Sequence, residues 1–171
     1  MPKHLFAGLL DPQVRVKAHT IKLAEPYLTT NSHLFSRITA LKVSSSEHVR
    51  IQMAYSLGQS KPDDAIPVLA ELTLAPNTTP EIKTAVLSSV GTYSDRFLLQ
   101  LLKTGKGKSQ LPSIALQTAI LVGSNQQNDP TFTVLSKITE LPAGIQQVIL
   151  RGLGEGLSRR GTTLSAIITS T

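Results

Sequence analysis

A short apolar pattern recurs along this chain at an almost constant interval, and it constrains the fold more than any other feature. In the stretch HVRIQMAYSLG, the apolar residues Val49, Ala54 and Leu57 lie on one side of a helix, and a glycine follows at once. Copies of the pattern start 33, 33, 32 and 31 residues apart, at Val16, Val49, Ile82, Ile114 and Ile145. An interval of this length is that of one helix pair, so the chain is predicted to consist of helical repeats.

A glycine closes the later copies of the pattern, at Gly58, Gly91, Gly123 and Gly154, whereas the first copy has Glu25 at this position. A glycine just past the last turn can adopt the left-handed conformation that ends a helix, so each is predicted to end the first helix of its pair. The alternative is that the missing side chain lets two neighbouring helices approach closely. Both interpretations are structural, and both are favoured over contact with a ligand.

The second helix of a pair is predicted where an aspartate precedes a series of apolar residues. Asp64, Asp95 and Asp129 are expected to be the N-caps of these helices, and in the first copy the second helix is expected at 33–43. Side chains that share one offset in the repeat are expected to be buried: Leu57, Val90, Val122 and Leu153. The first helices are expected to begin after Asp11-Pro12, Ser46, Thr79-Pro80 and Leu141-Pro142.

The composition is typical of an all-α protein with an aliphatic core. Of the 171 residues, 40% are hydrophobic and only 4% are aromatic. Because these residues include no cysteine, they provide no disulfide, no thiolate metal site and no CxxCH haem attachment. The longest apolar runs, such as 115–122, are too short to span a bilayer, and residues 1–10 lack a complete signal-peptide pattern.

No catalytic or metal-binding pattern is found in the sequence. The histidines, at 4, 19, 33 and 48, lack the convergent ligands of a metal site, and the adjacent Asp63 and Asp64 point in different directions at a helix start. The run KTGKGKS ends like a phosphate-binding loop, but Leu102 stands where that motif needs glycine, and a helix rather than a strand precedes the run. We therefore predict no catalytic residue, no cofactor and no metal in this chain.

Four stretches carry a resemblance to known families: DPQVRVKAHTIKLAE, HVRIQMAYSLGQSKPDDAIPVLAELT, IKTAVLSSV and LPAGIQQVILRGLGEGLSRRG. The V-R-x-x-x-A-x-x-L-G pattern resembles HEAT repeats of the armadillo-type superhelix. Over about residues 11–171, the chain also resembles the HEAT region of the large membrane-bound dehydrogenase and cytochrome c (haem-binding) proteins of planctomycetes. In that family the region lies between a sugar-dehydrogenase domain and a haem c domain. The resemblance therefore implies a connector in a larger redox protein, located in the periplasm or cell envelope.

The expected fold is a right-handed, HEAT-like α-α superhelix of about five helix pairs, the last of which is incomplete at Thr171. We expect a single domain over residues 1–171 that is part of a larger multidomain protein. The expected repeats span about 11–45, 46–78, 79–110, 111–140 and 141–171.

Three classes of function are compatible with such a chain. The favoured one is a non-catalytic scaffold or interaction module, whose partner is a protein or a neighbouring domain of the same chain. A nucleic-acid-binding protein resembling the HEAT-like DNA glycosylases is compatible with the net charge of +6. The basic residues are nevertheless spread through all copies and stacking aromatics are scarce, so nucleic acid is not the expected partner. An enzyme resembling the HEAT-like bilin lyases would need a nucleophile or an acid–base pair that the sequence does not provide.

A docking surface is predicted on the last repeat, at Leu157, Arg159, Arg160 and Leu164. The two arginines are able to bind a phosphate or carboxylate, although a solvated helix end is the simpler interpretation. An apolar face with Leu164, Ile167 and Ile168 is expected to lack a covering element.

Overall fold

The computed structural model describes residues 3–43 and 46–169, which divide into two compact units, Met1–Val90 and Gly91–Thr171. Within these described ranges every regular element is helical and no strand is present. The predicted all-α class is therefore confirmed, with first and second helices alternating along the chain as in α-α solenoids. The grouping of all the repeats into one domain stays a prediction.

In the first unit, the first helices of successive repeats pack side by side. Helix α2 contacts α4, α4 contacts α6, and α1 packs against α2. The helices are α1 (Lys3–Leu10), α2 (Val14–Leu23), α3 (Ser32–Thr39), α4 (Glu47–Leu57), α5 (Pro62–Leu74) and α6 (Pro80–Ser89). One-turn 3-10 helices follow α2 and α3, at Glu25–Tyr27 and Ala40–Lys42. Helix α1 was not predicted, because it precedes the first copy of the periodic pattern.

In the second unit, α8 and α10 form the most extensive helix–helix contact, and α7 packs against both α8 and α9. The helices are α7 (Ser94–Thr104), α8 (Leu111–Gly123), α9 (Asp129–Ile138), α10 (Ala143–Arg159) and α11 (Leu164–Thr169), after a 3-10 turn at Gly91–Tyr93. The large side chains that are fully buried include Phe97, Leu98, Leu101 and Ile114. These aliphatic and aromatic groups provide the main stabilising term, because burial removes their apolar surface from water.

The apolar frame of the repeat is buried as predicted at its most characteristic position. Leu57, Val90, Val122 and Leu153 each have 0% of their surface exposed. By contrast, Val16 in the first copy and Leu150 in the last are 40% and 39% exposed. The outer copies therefore have partly exposed frame positions, whereas their frame residues Ile21, Ala24 and Leu153 are buried.

The predicted starts of the first helices are confirmed, and two of these helices, α4 and α6, have side-chain capping bonds. The hydroxyl of Ser46 accepts a hydrogen bond from the Val49 amide at 3.4 Å, and Thr79 accepts one from Ile82 at the same distance. Such bonds satisfy amide groups that have no partner within the helix. Helix α10 begins directly after Pro142, and α2 begins shortly after Asp11-Pro12.

The predicted N-caps of the second helices were wrong by one to three residues. The N-caps are Lys61, Tyr93 and Asn128, so Asp64, Asp95 and Asp129 instead lie inside the first turns of α5, α7 and α9. The chain enters each helix earlier than the apolar series suggests, in α5 because Pro62 already fits the first helical position. The carboxylates still lie near the positive end of the helix dipole. The helix expected at 33–43 is α3, which is capped by Asn31 and is followed by a 3-10 turn.

The left-handed conformation predicted for the repeat glycines is wrong. Among the described residues, positive φ occurs only at Gly107 and Gly161, both at 78°. Gly58 closes α4 in the right-handed helical region, and Gly154 lies in the middle of α10, which continues to Arg159. The alternative role, close approach of neighbouring helices, therefore has to be judged position by position.

Candidate docking surface

The residue that closes the repeat pattern, Glu25 in the first copy and Gly58 in the second, contacts the first helix of the next repeat. In the first copy, the carboxylate of Glu25 accepts a hydrogen bond from the hydroxyl of Ser56, 31 residues later, at 2.7 Å. In the second copy, a Cβ added to Gly58 would lie 3.0 Å from the Cβ of Ser89, again 31 residues later. A hydrogen bond at Glu25 and close packing at Gly58 thus make the same connection, which explains why the first copy does not need a glycine.

The contact between α8 and α10 depends on small residues spaced four apart. A Cβ added to Gly152 would lie 2.6 Å from the Cβ of Ala119, and one added to Gly156 would lie 2.7 Å from the backbone nitrogen of Ser124. Gly123 packs against the backbone of α10, with the Cα of Gly156 3.1 Å from where its Cβ would be. No side chain fits at these glycines unless the helices move apart.

In the last repeat, the two positions equivalent to Ala119 and Gly123 are open. Leu150 and Gly154 lie 31 residues after Ala119 and Gly123. A Cβ added to Gly154 would meet no neighbouring group within 4 Å, and Leu150 is 39% exposed. Because Gly152 faces α8 and successive helical residues are about 100° apart, Gly154 lies on the opposite side of α10. We name Leu150 and Gly154 the open stripe; both residues are partly exposed.

The predicted docking residues on the last repeat differ in their exposure. Leu157 has 0% of its surface exposed, so its side chain belongs to the core and is not available to a partner. The reason is that α10 continues past Gly154 and places Leu157 on the same buried face as Leu153. Leu164 is half-buried at the start of α11. Of the apolar face expected on α11, Ile167 is buried and Ile168 is 57% exposed.

The two adjacent arginines at the end of α10 have different partners. Arg159 is exposed and pairs with Glu155 one turn earlier, with 2.6 Å between Nη2 and Oε1. Arg160 donates hydrogen bonds to the carbonyl oxygen of Asn125 and to the side-chain oxygen of Asn128. Arg160 therefore ties the end of α10 to the loop between α8 and α9 and, being half-buried, is not a solvated helix end. Sequence spacing alone gave no signal for these two asparagines.

The structure also bears on the histidines, the KTGKGKS run and the apolar segments of the sequence. Among the residues that the structure describes, no three His, Asp or Glu side chains come together in a way that would hold a metal ion. His33 stacks at a tilt on Phe6, with 5.1 Å between the ring centroids. Helix α7 ends at Thr104, within KTGKGKS, so a helix rather than a strand leads into this run, as expected. Within residues 3–43 and 46–169, none of the helices combines the length and apolar character needed to cross a bilayer.

The helix pairs, with first helices packed side by side within each unit, define an all-α helical-repeat fold of the α-α solenoid class. No family model matches the chain, and no curated protein matches it. Among solved structures, the designed armadillo repeat protein YIII(Dq)4CqI is similar over 97% of this chain and 85% of its own, with a TM-score of 0.47 and 8% sequence identity. That likeness is too distant to bear on function.

Proposed function

We propose that this chain is a non-catalytic helical-repeat scaffold that binds a partner through the open stripe of α10. The observation that supports this is the unoccupied position of Gly154. Of the equivalent positions, Gly58 and Gly123 each contact the first helix of the following repeat, whereas Gly91 and Gly154 have no neighbouring group within 4 Å. Gly91 differs because it lies in a 3-10 turn after its helix, whereas Gly154 lies within α10. In a solenoid each repeat packs on its neighbours, and a repeat that ends the stack needs a polar outer face. The apolar, exposed Leu150 is therefore better explained by a further element that stacks on α10.

The chemistry of the partner follows from the contact between α8 and α10. There, Ala119 and Gly123 receive a helix whose own small residues, Gly152 and Gly156, are also four apart. The partner proposed for the open stripe is therefore an α-helix with small residues at positions i and i+4, from another protein or from a neighbouring domain. The exposed Arg159 and the half-buried Leu164 remain proposed members of the docking surface.

The absence of catalysis is part of the same proposal. The sequence provides no nucleophile with an adjacent base and no cofactor motif, so we expect the purified chain to turn over no substrate. In its more specific form, the proposal makes the chain the connector between a dehydrogenase-like domain and a haem c domain. Sequence resemblance alone supports this form. A CxxCH motif encoded downstream of Thr171 would favour it, and a stop codon there would remove it.

Duplicating the last repeat tests the docking proposal. A second copy of residues 141–171 is joined after Thr171, which supplies a helix of the proposed chemistry. If this copy stacks on the open stripe, the urea midpoint of unfolding rises, because each repeat interface adds to stability. The substitution Gly154→Leu in the original α10 should abolish the increase. The matched control is Gly144→Leu, since Gly144 is also open but lies in the first turn of α10. An unchanged midpoint in the extended protein, or equal effects of the two substitutions, would contradict docking on the stripe.

A further inference from the structure

We propose that a cavity in the second unit binds a small organic anion with an apolar body. The cavity has a volume of about 650 Å³ and lies among the end of α7, the loop that follows, the start of α8 and the start of α10. Its apolar lining consists of Leu102, Leu111, Pro112, Leu141, Pro142 and Ile145. Sites for small molecules in proteins are commonly about 300–1,000 Å³ in volume and mostly apolar, with a few polar groups that fix orientation.

The polar groups of the cavity are predominantly positive. Lys106 and Lys108 line it, and in the part of the chain that the structure describes neither lysine forms an ion pair. They belong to a basic segment, since the sequence between Asp95 and Asp129 contains four basic residues and no acidic one. Glu140 is the acidic residue of the lining. An anionic head group would therefore be attracted to the wall formed by the loop after α7 and repelled by Glu140.

The start of α8 adds to this positive field. Its first two residues, Leu111 and Pro112, line the cavity, and its first turn contains no acidic residue. Its N-cap, Gln110, accepts no side-chain hydrogen bond from the helix amides. The positive end of the helix dipole is thus not compensated locally. The expected ligand has a carboxylate or sulfonate near the lysines and an apolar body against Leu141 and Ile145.

This inference concerns a different surface from the open stripe, and the scaffold proposal does not depend on it. The test is a fluorescence titration with 8-anilinonaphthalene-1-sulfonate, an aromatic sulfonate of the proposed chemistry, at low salt. Reversing both cavity charges, with Lys106→Glu and Lys108→Glu, is expected to weaken binding about tenfold, since two weak, solvent-screened attractions are replaced by repulsion. The matched control is Lys103→Glu with Lys137→Glu, which changes the net charge equally at exposed positions outside the lining. The control should alter affinity by less than about twofold.

Two further measurements separate this site from general anion binding. Glu140→Gln should strengthen binding, because it removes the repelling charge from the lining. Decanoate should displace the fluorescent probe, whereas inorganic phosphate at the same ionic strength should not. The proposal is overturned if the folded protein does not bind the probe, if the cavity and control variants weaken binding equally, or if phosphate displaces the probe as well as decanoate does. Thermal unfolding of every variant identifies any change in affinity that comes from a loss of folding.

Discussion

Gly152 lies so close to Ala119 that a Cβ added to the glycine would be 2.6 Å from the Cβ of the alanine. The same added atom would be 2.7 Å from the carbonyl oxygen of Leu116, so both a side chain and the backbone of α8 occupy the space. Helices α8 and α10 therefore pack with their backbones close together. The glycines of α10 then differ in role, because Gly152 faces α8 and Gly154 faces away from it.

Alanine substitutions should separate these roles. Gly152→Ala is expected to destabilise the protein by about 1–3 kcal/mol, because the added methyl group overpacks the contact with α8. Gly154→Ala should instead stabilise it by up to about 1 kcal/mol, since alanine is the better helix former and the site is open. Urea unfolding followed by circular dichroism measures both free energies. The packing interpretation fails if the two variants change stability in the same direction.

The buried frame of the repeat gives a second prediction. Leu153→Ala removes a side chain with 0% of its surface exposed and should cost about 2–5 kcal/mol, from lost burial and the cavity that remains. The control is Leu23→Ala, because Leu23 is 53% exposed and should cost less than about 1 kcal/mol. Similar losses for the two leucines in urea unfolding would show that the repeat register does not define the core.

The tie between α10 and the loop after α8 gives a third prediction. Arg160→Ala removes hydrogen bonds to Asn125 and Asn128 and should cost about 1–3 kcal/mol, because bonds from a charged donor are stronger than neutral ones. Arg159→Ala removes only the exposed pair with Glu155 and should cost less than about 0.5 kcal/mol. A double-mutant cycle with Asn128→Ala measures the coupling to Arg160. A coupling energy of zero would refute this role.

Tyr93 gives a prediction about alkaline pH. Burial raises the pKa of its phenol above the usual 10.0, and the charge of Arg96 lowers it by a smaller amount. The pKa of Tyr93 is therefore higher in the folded protein than in the unfolded chain. Its neutral phenol contributes to the free energy of unfolding in full below about pH 10, and this contribution is lost as the pH rises towards the folded pKa. Tyr93→Phe should remove this part of the alkaline loss of stability. At neutral pH it should cost little, because within the described residues the buried hydroxyl has no hydrogen-bond partner.

The control for this prediction is Tyr55→Phe, since Tyr55 is 45% exposed. Free energies of unfolding in urea at pH 7 and about pH 11 give the comparison. An alkaline loss of stability that is the same in the parent protein and in Tyr93→Phe would show that Tyr93 does not cause it.

The helices could be predicted from the sequence because their apolar periodicity is local. Val49, Ala54 and Leu57 define one helix face within a few residues, and repetition of the pattern locates the later helices. Helix α1 could not be predicted in this way, because it precedes the first copy of the pattern. The N-caps were misplaced because the residue that enters a helix depends on neighbours such as Pro62 as well as on the capping preference of Asp64.

The docking surface could be predicted only in part, because its geometry depends on residues about 31 positions apart. A glycine in the sequence is compatible both with the end of a helix and with a close contact between helices. At Gly123 the close contact can be recognised only from the structure, because it is made with the backbone of α10. Leu157 was placed on the surface because α10 was expected to end near Gly154. The cavity lined by Lys106 and Lys108 could not be predicted from the sequence, because separate helices form its walls. Only the basic segment that contains the two lysines is visible in the sequence.

The most direct test of the scaffold proposal is the rate at which a thiol on the open stripe is labelled. The chain has no cysteine, so Leu150→Cys provides a single thiol, and labelling is compared with and without the appended copy of residues 141–171. The proposal predicts that the copy slows labelling at least about tenfold, which corresponds to about 1.4 kcal/mol of protection. A cysteine at the exposed Leu23, in the other unit, should react at the same rate in both proteins. Equal labelling of Leu150→Cys with and without the copy would contradict docking of a helix on this stripe.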